Sequence, residues 1–350
     1  MGWERQRMNI RIIGAGALGM MVAARLFLAG LKVELVTRSR QQAEEICEQG
    51  LILTETSRRN DTYPRSVHVE EGIEFDRHIH ITACTFEDLE KKHQEHREYK
   101  EHKEHAELAF IFLMVKQTAV TDQMAQALAK QLTPATQLVC FQNGIGHIEI
   151  LRRYIPMDRI WSAVTTEGAL KCSFRHVKHT GYGTTWLGRN EQANVQNEEN
   201  TGEIMKDLLI LAGFNTFVSK NINSKVWDKL LINAVINPVT ALLQIRNGLL
   251  PTLPALLPLM RALYEEGTML AEHAGIELAT DLWDQIGMVC NRTAHNQSSM
   301  LQDIKAGRAT EIDAITGGLL KAAKEAGIQL PTHAALYYLI RSIEQQWEII

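Results

Sequence analysis

The chain has 350 residues, 45% of them hydrophobic and 22% charged, with a formal net charge of −4. That length allows two domains with sizeable cores. The near-neutral balance gives no reason to expect nucleic acid or an anionic membrane as a partner. Five scattered cysteines (Cys47, Cys84, Cys140, Cys172, Cys290) are odd in number and never form CxxC. They argue for reduced thiols in a cytoplasmic protein, not a disulfide framework or a zinc site. The first residues, MGWERQRMNIRIIG, are charged and lack the apolar core of a signal peptide. The seven residues before Met8 read as a short extension, and no uninterrupted apolar run is long enough to span a bilayer.

Asn9 to Ile13 is apolar and β-prone, and Gly14-Ala15-Gly16-Ala17-Leu18-Gly19 follows at once. Leu18 to Leu28 is a helical run ending at Gly30, and Lys32 to Val36 reads as a second strand. A glycine triplet alone is weak evidence. Between a strand and a helix in a compact βαβ unit, it points to a dinucleotide fold. Gly14 permits the tight turn, Gly16 lets a pyrophosphate approach the backbone, and Gly19 lets the helix pack on the strand. The helix N-terminus then faces the phosphates. At the end of the second strand an NAD site usually carries Asp or Glu for the ribose hydroxyls. Here Thr37-Arg38-Ser39 stands instead, so Arg38 can pair with a 2′-phosphate and NADPH is favoured over NADH.

Residues 86–108, FEDLEKKHQEHREYKEHKEHAEL, form a run of Glu, Lys and His with almost no apolar face. It reads as an exposed helix or partly disordered insertion. His93, His96, His102 and His105 fall near one another on a helix, but the run lacks an apolar shell and no metal is expected. Ala109 to Val115 is a continuous apolar run, as in a strand covered on both faces, and it ends at Lys116. Gln137 to Phe141 is another, ending in Gln142-Asn143-Gly144. Ligands sit at the carboxyl ends of strands in a doubly wound sheet, which makes Lys116 and Asn143 candidates for cofactor or substrate contact. Asn143 also suits a plain turn. Short strands follow from Trp161, then a helix from Glu203 to Ala212 and a strand from Asn215 to Val218.

After about Asn221 the pattern is helical nearly throughout. The expected architecture is α/β: a Rossmann dinucleotide-binding domain over residues 1–220, followed by an all-helical domain over 221–350. The helical part opens on WDKLLINAVINPVTALL, a buried-type helix carrying Lys229, Asn233 and Asn237 at spacings of four. Those three share one face. A buried lysine and two amides are costly without partners, so the stripe fits a wet cleft that handles a polar substrate. A helix from about Leu253 to Ala274 comes next. Then a segment from Asn296 to Asp313 crowds hydroxyls, an amide and carboxylates around Gly307, with Glu311 set among apolar residues. Ser298 and Thr310 there suit helix caps.

Together GAGALG at 14–19, QNG at 142–144, KLLINAVINPVTAL at 229–242 and SSMLQDIKAGRATEID at 298–313 resemble the ketopantoate reductase (2-dehydropantoate 2-reductase) family. The resemblance covers nearly the whole chain; the N-terminal extension and the charged insertion depart from it and avoid the motif residues. It implies NADPH-dependent reduction of 2-dehydropantoate to pantoate, in pantothenate and coenzyme A synthesis. Lys229 would be the general acid, and Glu311 would orient the substrate, tune the lysine and contact the cofactor. Asn233 and Asn237 would hold the substrate hydroxyl end and Ser299 its carboxylate. Lys116 and Asn143 would stand where nicotinamide and substrate meet. The site would lie between the domains, with hinge closure near residue 220. The partner implied is a small 2-oxo acid, with a homodimer left open. Two alternatives remain at this level: a reductase of another 2-oxo acid, and an NADP-binding scaffold without catalysis.

Overall fold

Among the described residues of the first 220, apolar runs form strands and helices connect most strands of the larger sheet. The structure is a computed structural model, and it describes residues 8–56, 73–91, 108–189 and 198–349. The strands are β1 Asn9–Ile13, β2 Lys32–Thr37, β3 Leu51–Thr56, β4 Glu74–Ile79, β5 Thr82–Thr85, β6 Leu108–Leu113, β7 Gln137–Cys140, β8 Ile160–Thr165, β9 Gly168–Lys171, β10 His176–Gly181, β11 Thr184–Gly188 and β12 Asn215–Val218. The longer helices among them are α1 Ala17–Leu28, α2 Arg40–Gln49, α3 Asp122–Gln131, α4 His147–Leu151 and α5 Glu198–Leu211. Of the charged insertion, residues 86–91 are helical; the four histidines lie outside the described residues.

The main sheet has eight strands in the order β12-β11-β8-β7-β6-β1-β2-β5. All its pairings are parallel except β11 with β8. The run β5-β2-β1-β6-β7-β8 is a doubly wound order that reverses between β1 and β6, where the glycine turn follows β1. The first 220 residues therefore form a Rossmann-like α/β region. A second sheet, β4-β3-β10-β9, was not foreseen from the sequence. Its link to α1 is a buried charge cluster. Arg25 Nε donates to Glu55 Oε1 at 3.0 Å on β3, and the same guanidinium lies 3.3 Å from His179 Nδ1 on β10.

The rest of the chain is largely helical: α6 Ile222–Leu243, α7 Leu257–His273, α8 Leu282–Arg292, α9 Ser299–Lys305, α10 Ile312–Ala326 and α11 Pro331–Ile349. The expected helix from Leu253 begins later. Asn247–Thr252 and Pro254–Leu256 are tight 3-10 turns, and the α-helix starts at Leu257 with Pro258 in its first turn. Prolines lack the N–H that a helix interior needs, so they belong at its start. Helix α6 is long and apolar enough to cross a membrane by length and composition, with a mean hydropathy of 1.3, but 67% of that window is buried within the protein. Its Leu230, Leu231 and Ala234 share one core with Leu301, Ile315 and Leu319.

Two units emerge from the fold: Met1–Val115 with Asp122–Gln142 and Leu151–Lys220, and Asn221–Ile350 with Lys116–Thr121 and Asn143–Ile150. The loops after β6 and β7 thus belong with the helical unit, and they bring Lys116 and Asn143 into it.

Candidate active site

In the first unit, the glycine turn is shaped by close backbone packing. Gly14 has φ +121° and donates its N–H to Val36 O at 2.9 Å. A Cβ there would stand 2.6 Å from the Met114 carbonyl carbon, and one at Gly19 would stand 1.9 Å from Gly14 O. Gly16 differs: an added Cβ would meet nothing within 4 Å. Gly16 is the N-cap of α1, with no side-chain cap and no acidic residue in the first turn. A helix start with open amides and no competing carboxylate attracts a phosphate. Ala15, Ala17 and Leu18 complete this turn, and the residues present fit the pyrophosphate of a dinucleotide.

Sequence reading passed over two side chains that hold the turn. Gln42 Nε2 and Lys171 Nζ both donate to Ala15 O at 3.0 Å. Gln42 is buried, and its Oε1 accepts from Thr37 Oγ1 at 2.9 Å. Thr37 Oγ1 accepts Ser39 N–H at 3.1 Å, and Ser39 Oγ accepts Gln42 N–H at 3.2 Å as the N-cap of α2. Arg38 is therefore exposed on a backbone pinned on both sides. Nothing in a single sequence marks Gln42 apart from its neighbour Gln41.

The helical unit gathers the remaining candidates. Lys229, Asn233 and Asn237 lie along α6; Lys229 and Asn233 are partly exposed and Asn237 is buried. Burial pushes the Lys229 ammonium down to about 8, against the opposing pull of the Glu311 carboxylate. Glu311 caps the start of α10, where its Oε2 accepts from Asn143 Nδ2 at 2.9 Å. The Asn143 loop is tied down by Gln117 Nε2 donating to Ile145 O at 2.5 Å and by Ile145 N–H donating to Ala314 O at 3.4 Å. Asn143 Oδ1 and Gln117 Oε1 are buried oxygens without a hydrogen-bond partner among the described residues. Such orphaned acceptors point to a polar ligand.

Lys116 donates to Asp303 Oδ2 and to Ala309 O, each at 2.7 Å. Asp303 is buried and also takes Arg308 Nε at 3.2 Å. In the sequence Asp303 was one of several carboxylates around Gly307, and nothing local paired it with Lys116, 187 residues away. Ser299 is exposed at the first turn of α9, beside the buried cap Ser298, whose Oγ accepts Leu301 N–H at 3.1 Å. Thr240 Oγ1 stands 2.7 Å from that same oxygen and so ties the end of α6 to the start of α9. Asn247 was also missed. It is buried, its Nδ2 donates to Thr293 Oγ1 at 2.9 Å, and its Oδ1 has no partner among the described residues. Nothing in its Asn-Gly context sets it apart from an ordinary turn residue. Among the described residues no His, Cys, Asp and Glu group could hold a metal ion.

A Rossmann-like region with an open glycine turn, followed by a helical region carrying a lysine, a carboxylate and amides, defines a nucleotide-dependent oxidoreductase layout. Comparison with known proteins makes this specific. Residues 10–192 match the family described as Ketopantoate reductase PanE/ApbA, and residues 221–344 match Ketopantoate reductase PanE/ApbA C terminal. The chain is 30% identical to the 2-dehydropantoate 2-reductase of Archaeoglobus fulgidus over 96% of its own length and 98% of that protein. It is 30% identical to that of Vibrio cholerae over 97% and 99%. Among solved structures, D-mandelate dehydrogenase with NADH and anilino(oxo)acetate shares the fold with a TM-score of 0.80 at 23% identity, covering 97% of this chain and 99% of that one. The 2-dehydropantoate 2-reductase of Geobacter metallireducens does so with a TM-score of 0.78 at 23% identity, covering 95% and 99%. The chain belongs to the ketopantoate reductase family of oxidoreductases.

Proposed function

We propose that this protein reduces 2-dehydropantoate to pantoate with NADPH, in the cytoplasm. The carrying observation is Lys229, whose pKa burial lowers to about 8 on a helix face shared with two amides and within the field of Glu311. NADPH, when bound, supplies a hydride equivalent to the ketone carbon. The glycine turn and Arg38 would hold it, Arg38 by pairing with the 2′-phosphate. The chain's own task is the ketone oxygen. Charged Lys229 stabilises negative charge developing there and then releases its proton, which its lowered pKa makes easier. Glu311 keeps part of the lysine population protonated and accepts a hydrogen bond from the substrate hydroxyl. Asn233 and Asn237 bind the hydroxyl end. Ser299 binds the carboxylate. Lys116 and Asn143 line the reacting end. Five free thiols accord with a reducing compartment.

The test is direct. The purified protein is mixed with NADPH and 2-dehydropantoate, and the absorbance of the reduced cofactor is followed. Turnover is expected. Normal NADPH binding without turnover would sink the assignment, and faster turnover of another 2-oxo acid would reassign the substrate.

A further inference from the structure

Glu344 lies on α11 and is 8% exposed. Its Oε1 accepts the backbone N–H of Thr310 at 2.7 Å, and its Oε2 accepts from Arg341 at 2.7 Å. Thr310 directly precedes Glu311 in the chain and is itself buried. The Thr310 hydroxyl accepts the N–H of Ile312 at 3.1 Å, so the backbone on both sides of Glu311 is held. On the carboxylate side, Asn143 donates to Glu311 at 2.9 Å. A nearly buried carboxylate is costly unless its oxygens are satisfied. An apolar side chain would fill the same space at lower cost, so what Glu344 adds is an acceptor for one particular amide.

We infer that Glu344 is a positioning residue: by holding the Thr310 amide it fixes the backbone from which Glu311 faces Asn143 and Lys229. This inference rests on the roles given above to Lys229 and Glu311. The neighbouring charges are engaged elsewhere. Asp303 pairs with Lys116 and Arg308, and Asp228 with Lys225. Asp313 accepts from Tyr337 and lies 3.6 Å from Arg341, while Glu266 accepts from His333. Glu311 is the carboxylate that acts on Lys229, and the placement of its backbone decides how strongly it does so.

Two variants of similar bulk separate the acceptor from the side chain's size. Glu344→Gln keeps a carbonyl oxygen for the Thr310 amide, whereas Glu344→Met removes it. The first readout is an NMR titration of 13C-labelled lysine side chains, with Lys229→Ala identifying the signal. In Glu344→Met, Lys229 should titrate at lower pH than in the wild type, because the opposing pull of Glu311 weakens; Glu344→Gln should titrate like the wild type. The second readout is kinetic. Glu344→Met should raise KM for 2-dehydropantoate about tenfold, the loss of one charge-assisted contact, and move the alkaline limb of kcat to lower pH. Unchanged Lys229 titration in Glu344→Met would overturn the inference, as would equal effects of the two variants. Loss of cooperative unfolding in Glu344→Met would reduce the contact to a fold determinant and overturn it too. A Lys229 shift in a protein that turns over no 2-dehydropantoate would leave the positioning role standing and remove the substrate.

Discussion

The proposed role of Lys229 rests on surroundings that oppose one another. Burial drives the ammonium to give up its proton, and Glu311 resists. A general acid must be protonated to act, so turnover should be fully expressed below about 8 and fall as pH rises through that value. A pH profile of kcat/KM checks this, and an unchanged rate well above that pH would remove Lys229 as the proton source. Lys229→Ala should cut turnover at least about a hundredfold, the low end for general acid catalysis. Arg38 carries a different test. A charge-assisted contact is worth roughly 1.5–3 kcal/mol, so Arg38→Ala should raise KM for NADPH about tenfold or more and barely change KM for NADH. Equal losses on both cofactors would mean that Arg38 reads no 2′-phosphate.

Elements in this protein are positioned by a few backbone approaches rather than by pattern alone. The loop after β7 reaches α10 only because position 144 is glycine: its φ is +83°, and a Cβ would stand 2.2 Å from Ala314 O. Gly144→Ala should therefore cost at least about 2 kcal/mol and displace Asn143 from Glu311. Urea unfolding measures the first effect and KM for substrate the second. The second sheet hangs on a comparable feature. Arg25, Glu55 and His179 are buried together between α1, β3 and β10. Removing one partner from a buried pair leaves an unpaired charge, so Glu55→Ala should cost about 3–5 kcal/mol. A cost below about 1 kcal/mol would mark the pair as surface-like.

At the scale of the whole molecule, acid stability has a named contributor. Burial alone would raise the Glu266 pKa, but hydrogen bonds from the side chains and backbone amides of His333 and Thr332 outweigh it and bring it down to about 2, from an ordinary 4.5. A carboxylate depressed on folding stabilises the native state above its unfolded value, and that contribution is lost as pH falls through the folded value. Glu266→Gln should therefore destabilise the protein near neutral pH and flatten its loss of stability between about 4.5 and 2. Thermal unfolding across that window decides it. The thiols divide along similar lines. Cys47 and Cys172 are exposed, while Cys84, Cys140 and Cys290 are buried, and burial raises Cys290 to about 11 and Cys140 further. Native labelling should reach only the first two.

The sequence by itself determined the Rossmann-like beginning and the helical remainder, and it supplied candidates for the site. Each rests on a local pattern that needs no partner to be read: a strand, turn and helix around three glycines, a long apolar helix with a polar stripe, a charged residue in an apolar run. Strand β1 and strand β12 fall where hydrophobic runs put them. Tertiary structure alone decided the rest. Pairing of β3 with β10 sets Ile52 against His176, far apart in the chain, and no local period announces it. Prolines at 251, 254 and 258 held back the start of α7. The supports of the site are of the same kind: Gln42 under the glycine turn, Asp303 on Lys116, Asn247 against Thr293, Glu344 behind Glu311. Each is an ordinary polar residue until folding buries it beside a distant polar partner, where leaving it unpaired would be costly.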